Sequence, residues 1–117
     1  MSYLLRSSLF HRVVSRGMLL VTYIGPRSGR SISFPTSYVE RDGVVIVPVG
    51  WADQKRWWRN FRRGYDAELR IRGRNHKMHG KVMTDSDPGF EEALEILRKG
   101  RKDPRPDPDT LVRFTPL

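Results

Sequence analysis

Short runs of strand-forming residues, each closed by a turn signal, constrain the fold of this chain more than any other feature of its sequence. Residues 18–24 (MLLVTYI) are apolar, β-branched or aromatic and end at Gly25-Pro26. Residues 31–39 alternate larger side chains with small polar ones. Asp42-Gly43, a dipeptide typical of tight hairpins, precedes a third run at residues 44–49. Because short hairpin connections join antiparallel strands, the pattern predicts a three-stranded meander.

The hairpin pattern returns in the second half of the chain. Residues 67–71 and 77–84 alternate apolar and charged side chains, which indicates half-exposed strands, and residues 73–75 are expected to turn one into the other. A last short strand is predicted at residues 111–115. Pro35 has no N–H to donate, so we expect its strand to lie at an edge or a bulge of the sheet.

A helix is predicted between the last two strands. Asp85 or Ser86 is expected to cap it at Asp87-Pro88, and it ends in Arg98, Lys99 and Gly100. Its apolar face comprises Phe90, Leu94 and Leu97. Two or three helices on a hairpin-connected sheet predict an α+β fold with a small antiparallel barrel.

The length of 117 residues predicts a single domain over residues 1–117. Residues 1–15 suggest a basic amphipathic helix, for which packing on the domain and peripheral membrane contact are the two alternatives. Residues 101–109 are charged and rich in proline, as in an extended connector. The chain has no cysteine, which excludes disulfides and thiolate sites, and nothing argues for export, so a cytoplasmic location is expected.

The charge points to anionic ligands. Lys and Arg number 22 against 13 Asp and Glu, a formal net charge of +9. Five of these cations and three aromatic rings lie within residues 55–63, where a helix is predicted. At 3.6 residues per turn, one face would carry Trp57, Trp58 and Phe61. The opposite face would carry Lys55, Arg56, Arg59 and Arg63.

The turn at residues 25–30 (GPRSGR) joins the first two strands and combines two glycines, a hydroxyl and two arginines. Glycine lets backbone N–H groups approach an anion, and Ser28 adds a donor. Arg27 and Arg30 can supply forked, charge-assisted bonds. A phosphate site is one interpretation of this turn, and a solvated hairpin turn is the other.

Together these features resemble the deazaflavin-dependent nitroreductase family, a branch of the flavin-binding split β-barrels. The resemblance covers roughly residues 17–84 and rests on the order of its motifs: the serine-glycine turn, the strand with an internal proline, the DG hairpin, and a tryptophan-rich helix start. The residues that carry it are Gly25, Arg27, Ser28, Gly29, Pro35, Asp42, Gly43, Trp57, Trp58, Asn60 and Phe61.

This resemblance implies a small split antiparallel β-barrel that binds an 8-hydroxy-5-deazaflavin coenzyme (coenzyme F-420), or FMN as second choice, and transfers a hydride to or from it. Arg27, Ser28 and Gly29 would hold the coenzyme phosphate, with Arg30 adjacent. The end of the third strand, including Val49 and Gly50, would lie beside the ring. The other expected contacts are Trp57, Asn60 and Trp51, although Trp51 could instead fill the pocket.

No acid-base pair or nucleophile set is evident, and hydride transfer needs little beyond orientation and a dry pocket, so the catalytic residues stay unassigned. No metal site is expected, because His76 and His79 would point to opposite faces of a strand. The partner is expected to be a small organic molecule rather than nucleic acid, and a homodimer is left open. The alternative is a noncatalytic protein that binds a flavin, tetrapyrrole or lipid-like ligand, or a basic surface for nucleic acid or membrane.

Overall fold

The computed structural model describes residues 18–50, 56–101 and 106–117. The helix predicted for residues 1–15 and the part of the connector at residues 102–105 lie outside this range. In chain order, the elements are β1 (Met18–Ile24), β2 (Ser31–Ser37), β3 (Val39–Arg41), β4 (Val44–Pro48), a 3-10 helix (Trp57–Phe61), β5 (Tyr65–Ile71), β6 (Arg74–Thr84), α1 (Phe90–Gly100) and β7 (Thr110–Pro116).

The described strands form one antiparallel seven-stranded sheet in the order β2-β1-β5-β6-β7-β4-β3. The sheet curls, so that Leu19 and Val21 of β1 share a core with Val45 and Val47 from the far side of the strand order. This confirms the predicted α+β fold with a small split antiparallel barrel. Pro35 lies in β2 at an edge of the sheet, as predicted.

The barrel interior is filled by alternate residues of the strands, the pattern expected when one face of a sheet is buried. Ala67, Leu69 and Ile71 of β5 point inward, as do Val112 and Phe114 of β7. A second core lies between the sheet and α1. Its buried members are Val39, Ile46, Phe90, Ala93, Leu94, Ile96, Leu97 and Leu111. The apolar face predicted for the helix is therefore confirmed.

The predicted start of α1 was wrong. The helix begins at Phe90, after Gly89 with φ of 87°, and has no side-chain cap. Asp87 instead closes the preceding turn, where its carboxylate accepts the Thr84 N–H at 2.7 Å. Asp87 therefore stabilises the turn before the helix and does not cap the helix. α1 has 11 residues, and none of the described helices is long and apolar enough to cross a bilayer.

Two turns also correct the predicted boundaries. The run at residues 31–39 divides into β2 and the start of β3, with the buried Tyr38 between them. Since β2 and β3 lie at opposite edges of the sheet, the predicted three-stranded meander was wrong. Arg72 and Gly73 form the β5–β6 turn with φ of 52° and 80°, so β6 begins at Arg74 rather than at residue 77. The predicted Asp42-Gly43 turn is confirmed, with both φ values positive as a tight hairpin requires.

Glu40 is a buried carboxylate at the end of the barrel formed by the β5–β6 turn. It is 5 % exposed, and its Oε1 lies 3.8 Å from Arg72 Nη2. Within the described residues, this oxygen accepts no hydrogen bond. Burial raises the pKa of Glu40, and the Arg72 charge opposes that rise. The folded protein thus holds the Glu40 proton more tightly than the unfolded chain does.

Glu40→Gln is expected to raise the melting temperature at about pH 7, with a smaller gain as the pH falls toward 5. With a raised folded-state pKa, the contribution of Glu40 to folding is complete below its ordinary pKa of 4.5 and is lost as the pH rises through the folded value. Thermal melts across this range test the prediction, with Glu68→Gln on β5 as the control. A lower melting temperature for Glu40→Gln at neutral pH would mean that the Arg72 pair outweighs the burial cost.

Candidate functional site

Phe61 fixes the 3-10 helix to the barrel. Its side chain is fully buried, and its ring meets Phe114 edge-to-face at 5.4 Å and Tyr23 at 5.7 Å. Gly80 of β6 leaves the space for these rings, because a Cβ there would lie 2.7 Å from Phe61 and 2.6 Å from Phe114. The position of the basic segment around the 3-10 helix therefore depends on both Gly80 and Phe61.

The helix has three residues per turn rather than the predicted α-helical period. Arg59 N–H donates to the Arg56 carbonyl at 3.1 Å, and Arg62 N–H donates to Arg59 at 3.3 Å. This period places Trp57 and Asn60 on one face. The predicted separation of rings from cations was therefore wrong, since Trp57 and Arg59 both line the same groove.

The loop between β1 and β2 uses several of its own donors internally. Gly25 N–H donates to the Arg30 carbonyl at 2.8 Å, and Gly29 N–H donates to the Gly25 carbonyl at 2.9 Å. The N–H of Arg30 donates to Ser28 Oγ at 3.2 Å. A ligand would therefore meet the side chains of Arg27 and Ser28 more readily than the glycine N–H groups expected from the sequence.

This loop and the 3-10 helix enclose a broad, open groove of about 820 Å³. Its volume falls in the range of small-molecule sites. No carboxylate occurs among the described residues that line it. Its arginines are Arg27, Arg56, Arg59, Arg62 and Arg63. A lining with five guanidinium groups and no carboxylate among its described residues favours an anionic ligand.

Aromatic rings form part of the groove and its support. Trp57 lines the groove and packs on Phe34 of β2, with ring centres 4.6 Å apart and planes tilted by 45°. Trp58 lies beneath two guanidinium groups, those of Arg59 at 5.8 Å and Arg62 at 5.1 Å from its ring centre. Both tryptophans are half-buried. The rings thus orient the basic side chains and offer a flat surface beside them.

Asn60 connects the 3-10 helix to Tyr23 of β1. Its side-chain amide donates to the Tyr23 hydroxyl at 3.1 Å and to the Trp57 carbonyl at 3.2 Å. Burial raises the pKa of Tyr23, and the bond from Asn60 opposes that rise. Tyr23 therefore keeps its proton at neutral pH.

Four of the residues predicted to bind a cofactor line this groove: Arg27, Ser28, Trp57 and Asn60. Gly29 and Arg30 belong to the loop but are not part of the lining. Val49 is 1 % exposed within the barrel core, and Gly50 is exposed. Trp51 lies outside the described residues.

The sequence did not identify every residue of the groove. Tyr65 and Arg62 line it but were not predicted to do so. Nothing in the local pattern distinguishes Arg62 from a solvated arginine. Tyr65 follows the helix by four residues, and the fold places it beside Tyr23, with ring centres 6.4 Å apart. This contact depends on how β1 and β5 pair, which the local sequence pattern does not specify.

Comparisons with known proteins neither support nor contradict membership of this family. No protein-family model matches the chain, and no curated protein is significantly similar to it. Membership of the deazaflavin-dependent nitroreductase family therefore stays a prediction.

Gly80→Ala is expected to destabilise the protein by about 1–3 kcal/mol, because the added methyl group overpacks the contact between Phe61 and Phe114. Chemical denaturation measures the change. Gly50→Ala is the matched control, since a Cβ there meets nothing within 4 Å. Equal stability of the two variants would contradict the anchoring role of this contact.

Proposed function

We propose that the protein is an oxidoreductase that transfers a hydride between an 8-hydroxy-5-deazaflavin coenzyme and a small organic substrate, with FMN as the second choice of coenzyme. One observation carries the proposal. The two motifs of the family resemblance are the serine-glycine turn and the tryptophan-rich helix, and Ser28 of the first lies 29 residues before Trp57 of the second, yet both residues line one groove. A cytoplasmic location stays a prediction.

The lining of the groove fits such a coenzyme. Arg27 and Ser28 offer a forked cation and a hydroxyl for the phosphate. Trp57 offers a half-buried ring surface for a planar system. The coenzyme itself would supply the reactive carbon and the electron pair, so the protein need only bind, orient and shield it.

Nucleic-acid binding fits the groove less well. Single-stranded nucleic acid stacks its bases on exposed aromatic rings. Here Trp57 packs on Phe34, and the ring of Trp58 already carries the guanidinium groups of Arg59 and Arg62. The basic residues are thus part of a groove for a compact anion, which also suits the alternative of a noncatalytic carrier.

Titration of the purified protein with the deazaflavin coenzyme, FMN and haem is expected to quench tryptophan fluorescence most strongly with the deazaflavin. The reason is that Trp57 lines the groove. A second assay follows oxidation of the reduced coenzyme in the presence of a nitroaromatic acceptor. Binding without turnover would favour the carrier, and binding of none of the three would contradict the proposal.

Arg27→Ala is expected to weaken coenzyme binding by about 1.5–3 kcal/mol, the size of a hydrogen bond to a charged group. Arg74→Ala is the control, because it removes the same charge at the start of β6, opposite the last residue of β5. Both titrations are run at physiological salt, which screens the effect of net charge. An unchanged dissociation constant for Arg27→Ala would contradict its role at the phosphate.

A further inference from the structure

Tyr23 belongs to the core through its ring and to the groove through its hydroxyl. The residue is 5 % exposed, and its ring contacts Phe34, Phe61 and Tyr65 edge-to-face at 6.4, 5.7 and 6.4 Å between centres. Packing on three sides fixes the ring. Tyr23 nevertheless lines the groove, and its hydroxyl accepts a hydrogen bond from Asn60, another residue of the lining.

Asn60 determines which part of that hydroxyl remains for a ligand. A backbone carbonyl can only accept, so the amide nitrogen of Asn60 must face the Trp57 carbonyl at 3.2 Å. The same nitrogen lies 3.1 Å from Tyr23 Oη and donates its second hydrogen there. Tyr23 thus accepts from Asn60 and keeps its own O–H. Within the described residues, that O–H has no protein acceptor.

The second tyrosine of the groove is engaged differently. Tyr65 donates its O–H to the Ile24 carbonyl, a contact that closes the loop end of β1 against β5. Its proton is therefore used within the protein. Of these two groove hydroxyls, Tyr23 is the one with a hydrogen to offer a ligand.

The rest of the lining also favours a ligand that accepts hydrogen bonds. Guanidinium groups are donors only, and no carboxylate is among the described residues around the groove. A carbonyl oxygen of the ligand would satisfy the Tyr23 O–H, which a ligand without an acceptor would leave unpaired.

We propose that Tyr23, oriented by Asn60, donates a hydrogen bond to a ring carbonyl of the ligand and so selects carbonyl-bearing planar anions over flat anions without one. The inference rests on the proposed function, because flavin and deazaflavin rings both carry carbonyl oxygens. Tyr23 is thus a specificity residue of the groove, and the arginines are its anion contacts.

The test compares two flat anionic probes, FMN, which has ring carbonyls, and pyrene-1-sulfonate, which has none. Tyr23→Phe is expected to weaken FMN binding about 3- to 15-fold, the equivalent of one neutral hydrogen bond, and to leave pyrene-1-sulfonate binding unchanged. Asn60→Leu, which removes the orienting amide, should weaken FMN binding in the same selective way. Tyr38→Phe, a buried tyrosine outside the groove lining, is the matched control.

The outcomes separate this inference from the proposed function. If Tyr23→Phe binds FMN as the parent protein does while Arg27→Ala loses both probes, the inference is overturned and the anion groove stands. If Tyr23→Phe weakens the binding of FMN and of pyrene-1-sulfonate equally, the inference is also overturned, since the hydroxyl would then act through packing. If the parent protein binds pyrene-1-sulfonate but neither FMN nor the deazaflavin coenzyme, the inference and the proposed function both fail.

Discussion

The insertion of Phe61 into the barrel is the contact on which the groove depends. A segment with this many arginines has little reason to lie on a protein surface in one place, because like charges repel and their side chains favour water. One fully buried ring changes that balance, since burying a phenylalanine contributes on the order of 1.5–3 kcal/mol. Gly80 makes the insertion sterically feasible by leaving the space that a methyl group would fill. The basic segment is thus held by an apolar contact, and among the described residues no ion pair joins it to the rest of the protein.

Once anchored, the segment acquires its chemistry from a tight helical turn. Three residues per turn bring Trp57 and Asn60 to the face that borders the β1–β2 loop. The groove then combines guanidinium groups, an indole and a tyrosine hydroxyl, and it lacks a carboxylate among the described residues. Such a set of groups binds an anion well and performs acid-base chemistry poorly. That suits a reaction whose electrons come from a bound coenzyme.

Local signals predicted the barrel better than the site. The uniform apolar run of β1, the Asp42-Gly43 turn and the apolar face of α1 each follow from short-range rules, and each is confirmed. The 3-10 helix does not follow from them, because the position of Phe61 is set by Gly80 on a strand 19 residues later. Likewise, Val49 was expected beside a ligand, but it is buried in the barrel core. The sequence therefore left unplaced those residues whose position depends on tertiary contacts.

The central claim is that the β1–β2 loop and the 3-10 helix form one binding site for a planar anion. Backbone amide chemical shifts of isotope-labelled protein, recorded while the deazaflavin coenzyme or FMN is added, test it most directly. If the loop and the helix form one site, the largest shifts fall together on residues 25–30 and 56–65, with smaller changes on α1. Shifts confined to α1 and β3, or to only one of the two segments, would contradict it.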